Sequence, residues 1–346
     1  MLAIAQPQCG QKRGVHARVL EHNACPPATG HPRAAARSVL PVAFTDATKR
    51  DTVGRVNLGP FEQSAADLAP GDLRALDSDW SEFTLQSVGA AGGALFDEAY
   101  ARLWREFGAR GEMERREVIA DRLAWDPRST FGGYAFQYEL LVVRRGGELI
   151  AVRDHTAIVR RDSAAHAVVH LSHALVEPAL RGSGLAAWLR ALPLRTARAC
   201  ADAAGLPRPA RTTLVAEMEH DDGDAPAMKA RLRSYGKAGF RMVDPARTRY
   251  FQPDFRSAAE IDRSSVQPLA LALILRRVGL EDEADVSGAE LREIVGALHA
   301  MFGVHVRRDH MAPLRAMVER FPSSSETIAL VSPWHATESP QETNPR

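Results

Sequence analysis

The chain has 346 residues, 45% of them hydrophobic and 25% charged, an ordinary globular composition with core material for one large or two smaller domains. Lys plus Arg number 44 and Asp plus Glu 43, so the net charge of +1 gives no electrostatic case for nucleic acid or membrane partners. No run approaches the roughly 18 apolar residues of a membrane span.

Residues 1 to 78 show no sustained helical or strand period and are rich in Pro, Gly, Ala and His. They read as a disordered tail, with a short helix near Gly71–Leu76. Seven basic residues stand against two acidic ones in the first fifty. A disordered tail, or a start codon set too far upstream, is preferred there over a transit peptide, and the first ten residues lack the pattern of a secretory signal.

Order is expected from Asp79-Trp80. Phe83–Val88 alternates as a strand. Ala94, Leu95, Ala99, Leu103, Trp104 and Phe107 recur at helical spacing, and a second helix is expected over Met113–Ala124. Tyr138–Arg145, Gly146-Gly147 and Glu148–Arg153 read as a hairpin, because two glycines between β-rich runs are a strong turn signal. Ala167–Val176 is a further strand. A helix over Leu185–Ala204, a strand over Thr212–Glu219, an acidic loop His220–Asp224 and a helix over Pro226–Lys237 follow. Arg241–Val243 and Arg249–Phe251 read as closing strands. Beyond Ala258 the pattern predicts helices over Pro268–Val278, Gly288–Phe302 and Met311–Phe321, with Ser287 and Glu290 as a capping box. Residues 336–346 read as a loose tail.

The strongest chemical signal is Arg181-Gly182-Ser183-Gly184-Leu185-Ala186, set between a strand and a helix. Glycines let backbone N–H groups approach an anion with no Cβ in the way. The helix N-terminus adds unpaired donors and partial positive charge. Together they make a pyrophosphate cradle, with Arg181 as a cation at its rim. No Lys follows as a Walker loop requires, and Trp188 and Leu189 stand where a dinucleotide fingerprint wants more glycine.

Val176-Glu177-Pro178-Ala179-Leu180-Arg181-Gly182-Ser183-Gly184-Leu185-Ala186 resembles motif A of the GNAT superfamily, the Gcn5-related N-acetyltransferases. Ser234-Tyr235-Gly236-Lys237-Ala238-Gly239-Phe240 is similar to that superfamily's Tyr-x-Lys-x-Gly-Phe motif. The resemblance spans residues 80–255. It implies an α/β fold with a mixed α+β sheet, splayed open after motif A, with acetyl-CoA as co-substrate. The pantetheine would pair with backbone near Leu175 and Val176, and the pyrophosphate would sit on N–H groups from Gly182 to Ala186. Tyr235 matches the motif tyrosine and is implied as the acid that protonates the CoA sulfur. Helix-to-sheet packing is the plainer role for it. The chain lacks the Asn common before the last helix of the family, and its connection there is longer than usual.

Two residues offer themselves as the base. Glu217 lies mid-strand and shares a face with Glu219, where a charge needs a reason such as a cleft. His173 is the other, a residue type suited to proton transfer near neutral pH. His170 and His173, three apart on a strand, are expected on opposite faces, so they make no metal pair. No HExxH or Cys/His cluster is present, and no metal is expected. Cys9, Cys25 and Cys200 form no CxxC pair, which leaves a reducing cytoplasm as the simplest compartment.

The expected organisation is a disordered tail over 1–78, a GNAT acetyltransferase domain over 79–256, a small helical C-terminal appendage over 257–335 and a tail over 336–346. The expected function is transfer of an acetyl group from acetyl-CoA to the amine of a small molecule or peptide. The alternatives are a CoA-thioester sensor without activity, or a transferase using a longer acyl donor. Acceptor and oligomeric state are not fixed by the sequence.

Overall fold

A computed structural model describes residues 56–57, 65–163, 165–219 and 226–334. Most of the tail, the acidic loop His220–Asp224, Cys9, Cys25 and residues 336–346 lie outside them.

The chain order is β1 (Val56–Asn57), β2 (Phe83–Ser87), α1 (Ala94–Phe107), α2 (Arg116–Leu123), β3 (Tyr134–Arg145), β4 (Glu148–Arg160), β5 (His166–Val176), α3 (Leu185–Ala203), β6 (Arg211–Met218), α4 (Pro226–Lys237), β7 (Arg241–Val243), β8 (Tyr250–Gln252), α5 (Ala258–Ser264), β9 (Leu269–Arg277), β10 (Asp285–Ser287), α6 (Gly288–Phe302), α7 (Arg308–Val318) and β11 (Thr327–Val331). The strands form one mixed sheet, ordered β1-β2-β3-β4-β5-β6-β9-β7-β11-β10, with β8 paired to β9. β2 to β5 are antiparallel neighbours, and β5 and β6 are parallel across the α3 crossover. Gly146 and Gly147 close the β3–β4 hairpin with φ of 57° and 87°, a turn that needs left-handed backbone at both positions.

Three sequence expectations are corrected here. The first is the helix over Pro268–Val278, which is strand β9. It lies between β6 and β7, pairing Met218 with Ala272 and Met242 with Ile274. A short continuous apolar run is ambiguous between a buried helix and a central strand. Burial on both faces decides it, overriding the helical propensity of Leu and Ala. The sheet is therefore continuous across residue 256.

The second is the C-terminal appendage. Leu291, Ile294, Val295, Leu298, Met301 and Phe302 of α6 are fully buried against Phe136, Ile158, Val168, Val215, Leu273 and Leu275 of the sheet. One apolar core thus includes the helix. Ser287 caps it, accepting from Glu290 N at 3.1 Å, but the Glu290 carboxylate turns to Arg277 instead of completing the box.

The third is the end of the tail. The short helix expected near Gly71–Leu76 is a 3-10 helix over Pro70–Asp77, but it is no part of a disordered tail: Leu68, Ala75 and Trp80 pack on Leu185, Trp188 and Leu189 of α3. Asp72 accepts two hydrogen bonds from Arg190, at 2.6 and 3.1 Å. Local sequence could not show this, because the apolar partners lie more than a hundred residues away.

Candidate active site

β5 and β6 pair only from His166↔Arg211 to His170↔Val215. β6 then continues alongside β9 while β5 leaves it, so a gap opens between them. The N–H groups of His173 and Glu177 point to β4, meeting Asp154 Oδ1 at 2.8 Å and Ile150 O at 2.9 Å. Alternation along the strand turns the N–H groups of Ala174 and Val176 the other way, into the gap. Leu175, expected with Val176 to meet the ligand, directs its backbone to Val152 of β4 instead.

The loop after β5 leads from this gap to the N-terminus of α3. Gly182 and Gly184 have φ of 85° and 96°, where only glycine sits without strain. Leu185 N–H meets the Ser183 hydroxyl at 3.3 Å. The N–H groups of Gly182, Gly184 and Ala186 have no acceptor among the described residues. The two glycines differ. A Cβ on Gly182 would meet open space, whereas one on Gly184 would lie 3.2 Å from Ala75 and 3.4 Å from Trp80. Arg181 is exposed beside them.

A cavity of about 70 Å³ occupies the gap, and its walls include Ser172, His173, Glu217, Glu219, Tyr235 and Glu112. The structure brings the three catalytic candidates from the sequence, Tyr235, Glu217 and His173, to this one cavity. α4 supplies Tyr235. Its ring meets Phe240 edge-on at 4.9 Å, and the Arg190 guanidinium lies 5.8 Å above it. Gly239, at φ 78°, ends the helix so that Phe240 N–H can return to Tyr235 O. This gives the glycine and phenylalanine of the motif their physical reason. Tyr235 lines the cavity, and its hydroxyl has no hydrogen-bond partner among the described residues.

His173 and Glu217 are placed differently from their expected role. His173 Nδ1 donates to Asp154 Oδ1 at 3.0 Å, and Nε2 donates to Glu112 O at 3.0 Å. Two acceptors require both ring nitrogens to carry hydrogen. Burial disfavours that charge, but Asp154 outweighs it and raises His173 to about 9. His173 is therefore a cation at neutral pH and no base. Glu217 is also buried. Burial raises its pKa, yet His170, Tyr250 and Gln252 together hold it below the ordinary carboxylate value. Tyr250 donates at 2.5 Å and Gln252 at 2.9 Å. A carboxylate so fully engaged does not itself abstract a proton from substrate.

The opposite-face expectation for His170 and His173 fails because of a β-bulge. β4 advances from Asp154 to Thr156 while β5 runs back from His173 to His170, so β5 holds one extra residue. Both histidines then face the helices α1 and α6, His173 at 4.9 Å from Phe107 and His170 at 5.4 Å from Phe302.

Sequence reasoning missed Glu112. It lines the cavity, accepts from His173 through its carbonyl and pairs with Arg110 at 3.1 Å. Burial, then the charge of Glu219, raises its pKa. Glu219 is itself bound to Arg231 at 2.6 Å. Nothing in the local pattern of residues 108–116 marks Glu112, because the His173 ring that meets its carbonyl and the Glu219 that acts on its carboxylate come from distant parts of the chain.

The Asp154–His173 pair makes stability depend on pH. His173 is raised from 6.5, so its contribution is full below about 6.5 and is lost as pH rises through about 9. Asp154 is lowered from 3.8 to about 2, so its contribution is full above 3.8 and is lost in acid. Unfolding free energy is expected to fall by up to about 3 kcal/mol between pH 6.5 and 9 on this account. Asp154→Asn should lower stability at pH 6 and flatten that slope in urea melts taken across the range.

The sheet opens beyond the strand that carries the glycine loop, and the motif tyrosine stands at the opening. The fold is of the GNAT type. No family model matches the chain, and no curated protein is found to match it. Among solved structures, the GNAT fold aligns with Ard1 from Thermoplasma volcanium at 16% identity, over 57% of this chain and 98% of that one, with a TM-score of 0.33. A GNAT-family acetyltransferase from Streptococcus pneumoniae aligns at 15% identity over 57% and 100%, TM-score 0.32. The ribosomal-protein-S18-alanine N-acetyltransferase from Escherichia coli aligns at 13% over 57% and 94%, TM-score 0.29.

Proposed function

We propose that the chain transfers an acetyl group from acetyl-CoA to a primary amine, by direct attack in a ternary complex. The observation that carries this reading is that the sheet opens beside β5 with Tyr235 lining the opening, while the glycine loop that follows β5 leaves the N–H groups of Gly182, Gly184 and Ala186 without an acceptor among the described residues. The loop would hold the pyrophosphate. The strand edge would pair with pantetheine amides. The N–H of Ala174 or Val176 would stabilise the oxyanion of the thioester carbonyl, and Tyr235 would protonate the departing thiolate.

A cationic acceptor would meet Glu112, Glu217 and Glu219 at the mouth, with His173 and Arg231 beside them as cations. The test is free-thiol release from acetyl-CoA over a panel of spermidine, an aminoglycoside and short peptides with free N-termini. Release that depends on a cationic amine supports the transferase. Acetyl-CoA binding without release on any amine supports a sensor instead.

A further inference from the structure

We infer that Ser172, His170 and Glu217 form the relay that takes the proton from the acceptor amine. This rests on the transferase reading above and supplies the base that His173 and Glu217 alone do not. His170 Nε2 lies 2.9 Å from Glu217 Oε2. A carboxylate only accepts, so Nε2 carries the hydrogen and Nδ1 is left with its lone pair. The Ser172 hydroxyl lies 3.1 Å from that Nδ1 and donates to it. Serine, imidazole and carboxylate are thus joined in the order of a nucleophile or relay triad.

Burial gives the chain of groups a direction. His170 is 2% exposed, while Ser172 is partly exposed and lines the cavity. The imidazole does not line the cavity itself, and Ser172 joins its Nδ1 to it. The bulge that adds a residue to β5 falls between His170 and His173, and so re-aims this stretch at the mouth of the gap. The rest of the surroundings hold the relay in one state. Tyr250 and Gln252 of β8 fix the Glu217 carboxylate, and Thr156 of β4 lies opposite His170. Phe302 of α6 closes the far side of the ring. His299 of α6, which stacks on Tyr250 at 6.5 Å, is kept neutral by burial and by Arg315. Among the described residues, Glu217 is then the one charged group in hydrogen-bond contact with His170. Glu112, another carboxylate of the cavity and one whose pKa is raised, is paired with Arg110.

The step balances as follows. The ammonium of the acceptor gives one proton to Ser172 Oγ as Ser172 passes its own to His170 Nδ1. The neutral amine attacks the thioester carbon, the C–N bond forms and the C–S bond breaks. The thiolate takes the Tyr235 proton, and the tyrosinate takes the second proton from the amide nitrogen. His170 returns its proton to solvent through Ser172. The first transfer needs the Nδ1 lone pair, so the relay is read from how turnover depends on pH.

The experiment measures kcat against pH, with acetyl-CoA and spermidine, for the wild type, Ser172→Ala, Ser172→Thr, His170→Gln and the double variant Ser172→Ala/His170→Gln. Acetyl-CoA affinity is read by calorimetry and folding by thermal melts. Ser172→Ala and His170→Gln should each lower kcat by about 10²- to 10³-fold and change how it depends on pH, with acetyl-CoA affinity unchanged. The double variant should be no worse than either single one, because the groups act as a unit. Ser172→Thr, which keeps the hydroxyl, should restore activity. If His170→Gln does not fold, the Ser172 pair decides. Ser172→Ala that keeps the wild-type pH dependence and most of its kcat overturns the relay alone. Wild type that shows no turnover overturns the transferase reading, and the relay with it.

Discussion

Gly182→Val should weaken acetyl-CoA binding by about ten- to a hundredfold while the protein stays folded. The side chain would project into the open space on the loop, where nothing of the protein lies within 4 Å of the added Cβ. That is the space the pyrophosphate needs in order to reach the free N–H groups. Losing one charge-assisted hydrogen bond of about 1.5–3 kcal/mol accounts for the range. Holding a side chain at φ 85° costs a further 1–2 kcal/mol or so of stability. Gly184→Val makes the contrast. It carries the same backbone strain and also drives into Ala75 and Trp80, an overpacking of about 1–3 kcal/mol more. Thermal melts beside calorimetry should therefore separate the two glycines, with Gly182 affecting the ligand first and Gly184 the packing first.

Tyr235→Phe should lower kcat by about 10²-fold with little change in acetyl-CoA affinity. The ring contacts with Phe240 and Arg190 survive the substitution, so the loss isolates the hydroxyl. A tyrosine that only packed α4 on the sheet would lose almost nothing. The Arg190 guanidinium that overlies the ring is itself held by Asp72, so residues ahead of the sheet also support the acid. Steady-state kinetics with saturating acetyl-CoA distinguishes the two roles.

How much of this the sequence revealed depended on the distance over which each feature is encoded. The β3–β4 hairpin was legible because Gly146-Gly147 is a local turn signal between two β-rich runs. The left-handed backbone of the glycine loop was legible because it is written in consecutive residues, and so was the turn at Gly239. β9 was not, since seven apolar residues in a row carry no period to separate strand from helix. Only its place between β6 and β7 decides its form. The base was not legible either. Reading β5 with a strict period of two separated His170 from His173, and one bulged residue reverses that result. Glu217, singled out from its place in mid-strand, lines the cavity. Its engagement by His170, Tyr250 and Gln252 depends on three other strand positions and could not be read from its own.

The most direct measurement is titration of acetyl-CoA into the full chain by calorimetry, with Gly182→Val alongside. One site per chain on the wild type, lost or strongly weakened in the variant, is the result this account predicts. A wild type that takes up no acetyl-CoA, or a variant that binds as well as the wild type, would contradict the placement of the pyrophosphate on Arg181–Ala186.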